Sequence, residues 1–371
     1  MTTSHRTPPV TAGYHRDMTA GGTTTAGIRL TGLDVARGIA VLGMFVAHTW
    51  PASDSAFSEL LTTVAGGERP RTLFAVVGGI SLALFVQSLG RRADFDTRRI
   101  RQTVAVRGVA LVALGLFLQT MYSGVSVVLD TWGLLFLVFV PLLKAPTRWL
   151  VGGALIALPV GVALQLASAR WTPRLTPQGS LFTQPLDWFV SGSYPLLIWV
   201  AFLAVGFVLA RLDITRRQTQ LWMLGGGLAI AVLANLLQWF ALSPETFAGE
   251  VALHASAAAV AVAVVSALSL VTTSRAVSII LYPLAAVGMM PLTIYTGHVL
   301  ALALRYWIDP AQPRMSETLW VVLTITSLVL ATLWRRFLGQ GPLERVLRTV
   351  DGSAPPTRPV QTSRRTSRAR A

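Results

Sequence analysis

A short run near the start of the chain sets three ionisable side chains inside an otherwise apolar segment. It reads Leu33-Asp34-Val35-Ala36-Arg37-Gly38-Ile39-Ala40, continues without charge from Val41 to Ala47, and ends at His48. On an α-helix the eleven steps from Arg37 to His48 turn through about 1100°, which leaves the two side chains only about 20° apart. Asp34 and Met44 fall within about 40° of the same line, and the rise separates Arg37 from His48 by about 16 Å. One stripe thus carries a carboxylate and a guanidinium at one end and an imidazole at the other. The guanidinium is a fixed cation whose planar fork fits anionic oxygens. The imidazole titrates near neutrality, so it can take a proton and return it.

Two readings of the stripe stand on helix geometry alone. Ionisable groups are costly against lipid, so a stripe of this kind turns toward a helix bundle or a watery cavity and marks a functional path. In the plainer reading, Asp34 and Arg37 form an i, i+3 structural pair that anchors the helix, and His48 rests in the headgroup region.

The elements that must position these residues follow from composition. Hydrophobic residues make up 53% of the 371 residues and charged residues 13%, about half the charged share of a soluble domain. The apolar residues come in blocks about 20 long, enough to cross a hydrocarbon core of about 30 Å. The net charge of +15 does not imply nucleic acid, because the basic residues sit in loops and the C-terminal tail instead of on one folded face. Anionic lipid is a simpler partner for the tail. With no cysteine there is no disulfide, thiol nucleophile or thiolate metal site, and no His/Glu spacing suggests any other metal site.

Apolar runs predict an all-α, polytopic transmembrane bundle of about ten helices, at 31–50, 71–90, 103–122, 126–143, 149–168, 190–210, 219–241, 251–272, 281–305 and 317–336. The short fourth span and Pro291 within the ninth are the weak points of this count. Arg91, Arg92, Arg98, Arg99 and Arg101 follow the second span, and Lys144 and Arg148 the fourth. Arg211, Arg216 and Arg217 follow the sixth, Arg275 the eighth, and Arg335 and Arg336 the tenth. The loop after the seventh carries Glu245 and Glu250 and no base. Even-numbered ends are therefore expected inside, with both termini cytoplasmic in the cell membrane. Residues 1–27 read as a disordered polar arm without a cleavable signal, 28–348 as the membrane domain, and 349–371 as a disordered basic tail. Gly78-Gly79 and Gly225-Gly226-Gly227 read as close helix packing.

This topology puts further polar groups in the outer half. Asp130 starts the fourth span, where it caps its helix beside Trp132 or serves as a carboxylate partner of His48. Tyr295 and His298 are i, i+3 neighbours on the ninth, set to bind an acceptor or stabilise an oxyanion, or simply packed as a polar pair. His254 opens the eighth span at the interface, within reach of a substrate. Arg71, at the outer mouth of the second, meets an acidic substrate or a lipid phosphate. Arg107, just inside the third, snorkels toward the inner surface.

Several of these segments carry a resemblance. Leu-Asp-x-x-Arg-Gly-Ile-Ala, an apolar run and His48 resemble the opening helix of membrane-bound acyltransferases, and Arg37, ten residues, then His48 is the signature of the acyltransferase-type-three family. The wider pattern is similar to the heparan-alpha-glucosaminide N-acetyltransferase catalytic domain and to YeiB-like bacterial membrane proteins. The segments that carry it are Arg71-Thr72-Leu73-Phe74-Ala75-Val76-Val77-Gly78-Gly79-Ile80-Ser81-Leu82, Met290-Pro291-Leu292-Thr293-Ile294-Tyr295-Thr296-Gly297-His298, and Trp334-Arg335-Arg336-Phe337 with Gly341-Pro342-Leu343-Glu344.

The resemblance implies an acyltransferase that takes an acyl group, most simply acetyl, from cytosolic acyl-CoA. It would pass the group to a hydroxyl or amine of an extracytoplasmic glycan, amino sugar or lipid-linked intermediate. On that reading Arg37, oriented by Asp34, meets CoA phosphates with Arg107 as a second contact, and His48 acts as base or carries the acyl group itself. A proton-coupled transporter or exporter also suits a polar stripe with buried histidines, and a catalytically silent protein of the same fold is a third reading.

Overall fold

The computed structural model describes residues 24–51, 53–121, 124–171, 184–240, 243, 246–311 and 315–354. The expected arm and tail, like Glu245, lie wholly or mostly outside them. Among the described residues the chain is all helical. In order, the helices are α1 (Thr24–Thr49), α2 (Ala56–Ala65), α3 (Glu68–Gly90), α4 (Thr97–Thr120) and α5 (Leu129–Phe139). A 3₁₀ turn (Pro141–Lys144), α6 (Thr147–Trp171), α7 (Gln184–Leu186) and a π turn (Asp187–Ser191) lead to α8 (Leu196–Leu209). Then come α9 (Arg217–Phe240), α10 (Phe247–Val271), α11 (Arg275–Ile280), α12 (Tyr282–Gly288), α13 (Pro291–Ile308), α14 (Glu317–Phe337) and α15 (Pro342–Val350).

Among the described residues seven segments are long and apolar enough to cross a membrane, and α12 with α13 adds an eighth if the bent pair counts as one span. Helices α5 and α8 are apolar but shorter. These ten units correspond to the ten expected spans, and the chain is a multi-pass helical membrane protein. Trp222, Ile230, Leu233 and Trp239 on α9, and Val322, Ile325 and Leu330 on α14, are exposed. Such apolar rows are natural against lipid and unfavourable against water.

The sequence reading needs correction at the ninth span. A single helix over 281–305 is expected, but α12 and α13 meet at 83°. Proline has no N–H to continue the ladder and disfavours helical geometry in the residue before it. Met290, just ahead of Pro291, accordingly leaves the helix at φ −131°, ψ 43°. Among the described residues four short helices also lie outside the expected pattern: α2 before the second span, α7 before the sixth, α11 before the ninth, and α15 after the last.

Polar caps and loop contacts sort the helix ends into two groups. Lys144 donates to Thr97 Oγ1, Arg211 donates to the Ala145 carbonyl at 2.7 Å, and Arg92 donates to the Ser353 carbonyl at 3.1 Å. The basic loops therefore gather at one end. At the other, the Ser316 N–H reaches the Thr49 carbonyl at 2.7 Å, and Tyr194 Oη donates to the Ser126 carbonyl at 3.2 Å. We call these the basic end and the far end.

Helix α1 runs between them near the centre, packed on α3, α10 and α12, with α13 and α14 also against it. Its contact with α12 is intimate. A Cβ on Gly38 would sit 2.0 Å from the Leu284 carbonyl oxygen, and one on Gly288 would sit 1.8 Å from that of Asp34. Only hydrogen in place of a side chain lets the two backbones approach this closely.

Candidate functional site

The α1 stripe faces protein along its length. At its basic end Arg37 Nη1 donates to Asp34 Oδ1 at 2.9 Å and to the Gly288 carbonyl at 2.7 Å, while Nη2 donates to Ser81 Oγ at 2.6 Å. Ser81 Oγ in turn donates to the Val77 carbonyl at 2.6 Å. Gly288 is the last residue of α12, so its carbonyl has no intrahelical partner, and an unsatisfied carbonyl at membrane depth costs several kcal/mol. The guanidinium meets that need and complements the negative end of the helix dipole. Arg37 thus clasps α1, α3 and the end of α12. Three of its five N–H groups are engaged in this way, and its side chain is 16% exposed.

At the far end the stripe meets the other half of the broken helix. His48 Nδ1 lies 2.9 Å from His298 Nε2, and His298 Nδ1 lies 2.9 Å from the Tyr295 carbonyl. A carbonyl only accepts, so His298 Nδ1 carries the proton, and in the neutral ring Nε2 is then an acceptor. His48 Nδ1 must donate to it, which leaves the lone pair of His48 on Nε2. The two rings lie edge to edge and nearly coplanar, with centroids 5.2 Å apart and planes 8° apart, and Phe45 covers His298 at 4.6 Å. His298 is buried, whereas His48 keeps partial exposure. The result is an imidazole held in one tautomer with its Nε2 lone pair turned away from its support.

Tyr295, one turn before His298, accepts a hydrogen bond at Oη from the Val128 N–H at 3.0 Å, just ahead of α5. Two residues on, Asp130 Oδ2 accepts from Trp188 Nε1 at 2.5 Å and from Gln119 Nε2 at 2.8 Å. The structure therefore gives His48 a histidine as its partner, and gives Asp130 an indole and an amide. Trp188 stands on the π turn, a distortion that recurs at functional sites. Nothing in the sequence marks that turn, so Trp188 and Gln119 went unread. Tyr295 and His298 do belong to the cluster.

Arg71 pairs with Glu68, donates to the Ser193 carbonyl at 3.3 Å, and lies over the Tyr194 ring at 5.9 Å. His254 Nε2 lies 3.9 Å from Glu250 Oε2, one turn earlier on α10, and its ring faces Phe202. Arg71, His48 and His254 all belong to the far end.

Arg107 is a different case. Its Nε and Nη2 reach Asp351 Oδ2 at 2.7 and 2.6 Å, and its guanidinium lies 4.0 Å over Phe85. The Asp351 side chain is fully buried, and its Oδ1 accepts the Ser353 N–H at 2.9 Å. Instead of snorkelling freely, Arg107 holds the C-terminal segment. A separate groove of 320 Å³ opens at the basic end between α1 and α11, lined by Thr31, Arg275, Ser278 and Ile279 with Tyr282 at the start of α12. Among the described residues no cluster of His, Asp or Glu is suited to a metal ion.

Residues 29–241 match the family model described as heparan-alpha-glucosaminide N-acetyltransferase, catalytic. Residues 208–351 match that of a protein family of unknown function, DUF418. No curated protein matches the chain significantly. The first match carries Arg37, His48, Arg71 and Asp130; the second carries Tyr295, His298 and Glu344. The histidine contact therefore joins the two matched regions. With the first match spanning more than half of the chain, the protein belongs to the heparan-alpha-glucosaminide N-acetyltransferase catalytic-domain family.

Proposed function

We propose that the protein is an acyl-CoA-dependent membrane acyltransferase that moves an acyl group, most simply acetyl, to a hydroxyl or amine of an extracytoplasmic glycan or amino sugar. The observation that carries this reading is the His48–His298 contact, with His298 pinned to the Tyr295 carbonyl and the lone pair of His48 left on Nε2.

The chemistry follows from that tautomer. His48 Nε2 takes the proton of the acceptor hydroxyl or amine as its oxygen or nitrogen attacks the thioester carbonyl. The new C–O or C–N bond forms, the C–S bond breaks, and the proton passes to the departing thiolate. The imidazolium that forms in between keeps its Nδ1 hydrogen bond to His298. A second route sends the acyl group first to His48 Nε2 and then to the acceptor; a labelled enzyme isolated without acceptor marks that route.

The positive-inside rule makes the basic end cytoplasmic, along with both termini. The donor then enters from that side. The groove beside Thr31 and Arg275 opens there, and Arg37 retains N–H groups that suit a donor phosphate. The reacting thioester lies about 16 Å further along α1, at His48. Arg71, His254 and the Asp130–Trp188–Gln119 cluster face the acceptor. In this reading Arg107 serves the fold instead of the donor.

A transporter is favoured by one observation, the broken α12–α13 pair beside a charged residue, since discontinuous helices build many transport sites. Radiolabelled acetyl-CoA supplied to inside-out vesicles separates the two. Covalent label on a glycan or amino sugar inside the vesicle, lost in His48→Ala, supports the enzyme. Movement of a small molecule without covalent label, equal in both variants, overturns it.

A further inference from the structure

Helix α13 begins at the break, where its first N–H groups have no partner of their own. Pro291 removes one of them. The Leu292 and Thr293 N–H groups both donate to Glu344 Oε1, at 2.8 and 3.1 Å, and Thr293 Oγ1 donates to Glu344 Oε2 at 2.5 Å. Thr293 Oγ1 also accepts the Leu343 N–H at 3.2 Å, so the circuit closes on α15. Gly341 leaves room for this carboxylate, because a Cβ there would lie 2.1 Å from Glu344 Oε2. A carboxylate also complements the positive end of the α13 dipole. The two halves of the break are thus capped by opposite charges from different helices, Arg37 on the end of α12 and Glu344 on the start of α13.

We infer that Glu344 is a positioning residue for the histidine pair. Helix α13 is continuous from Pro291 to Ile308, so its far end moves with its start. His298 lies about 10 Å beyond Pro291 and Leu304 about 20 Å beyond it. A tilt of about 6° at the cap therefore displaces the His298 ring by about 1 Å, enough to open a 2.9 Å hydrogen bond beyond useful length. Helix α15 is held independently at its other end by the buried Asp351–Arg107 pair. Glu344 touches neither donor nor acceptor; it sets where His298 stands, and so the tautomer and direction of His48. The inference rests on the acyltransferase reading for its consequence, but the placement itself can be measured without any transfer.

The cysteine-free chain allows paired spin labels at lipid-facing sites in the full-length protein in nanodiscs. Leu233→Cys with Leu304→Cys reports α13, and Leu233→Cys with Leu155→Cys is the control; all three side chains are exposed. In Glu344→Ala the α13 distance should shift or broaden by about 2 Å while the control stays fixed. Transfer of label from acetyl-CoA should fall about 10²-fold with the donor KM unchanged within about twofold. Glu344→Gln keeps an acceptor for the two N–H groups and should restore both readouts to within about tenfold of wild type. An unchanged α13 distance, or equal broadening of both pairs, overturns the proposal. Absence of transfer in the wild-type chain with the α13 shift intact sinks the acyltransferase reading alone.

Discussion

His48 and His298 stand 250 residues apart in the chain and 2.9 Å apart in space, with their rings nearly coplanar. The contact has a direction. His298 spends its own N–H on the Tyr295 carbonyl, so it can only receive from His48. In the proposed mechanism a neutral histidine thus occupies the supporting place that a carboxylate fills in many catalytic pairs, without adding charge at membrane depth, where charge is costly.

The supporting acceptor should be required. His298→Phe keeps a ring but removes Nε2, freeing His48 to adopt the other tautomer. We expect transfer to fall about 10²- to 10⁴-fold, in the range for losing tautomer control or a general base. His298→Gln, which offers an amide oxygen, should recover part of the rate. Steady-state kinetics with labelled acetyl-CoA in nanodiscs check this, and the donor KM should barely move.

Arg37 should matter to stability before it matters to any ligand. Arg37→Lys cannot reach Asp34, Gly288 and Ser81 together, so at least one buried acceptor or donor loses its partner at a cost of about 1–3 kcal/mol. Thermal unfolding in detergent should show the loss without any donor present. Ser81→Ala should show a smaller loss of the same kind.

Gly288 should tolerate no side chain. A methyl placed 1.8 Å from the Asp34 carbonyl must push α1 and α12 apart, and overpacking of this kind costs about 1–3 kcal/mol or more. Gly288→Ala should lower both the melting temperature and the yield of folded protein. Gly226→Ala, where the added Cβ meets nothing within 4 Å, is the control and should leave both unchanged.

Asp351 should be essential to Arg107. Asp351→Ala strands a buried guanidinium, and breaking one side of a buried pair costs about 3–5 kcal/mol. The double variant Asp351→Ala with Arg107→Met should recover most of that loss, since an apolar replacement of both partners removes the stranded charge. Melting curves of the two singles and the double measure the coupling.

What the sequence makes legible here follows from which relationships are local. Arg37 and His48 fall on one stripe because eleven residues nearly close three helical turns, so their common face can be read directly. The partner of that face cannot, since His298 bears no periodic relation to His48. Pro291 signals a break in the ninth span, but its presence does not give the 83° angle between α12 and α13. Arg107 is visible as a membrane-embedded cation, yet its partner Asp351 lies beyond the expected boundary at 348, in a stretch whose Arg, Ser and Pro content reads as solvated. Gly78 and Gly79 do meet a close neighbour, while Gly225 and Gly226 meet none; composition cannot tell these cases apart, because the difference lies in which helix stands opposite.

The most direct test of the account is the initial rate of acetyl transfer by His48→Gly, at equal levels of folded protein in the membrane, with and without added imidazole. The rate should fall by about 10²- to 10⁴-fold and be partly restored as imidazole fills the space and takes the proton in place of the side chain. Transfer at the wild-type rate by His48→Gly would contradict it.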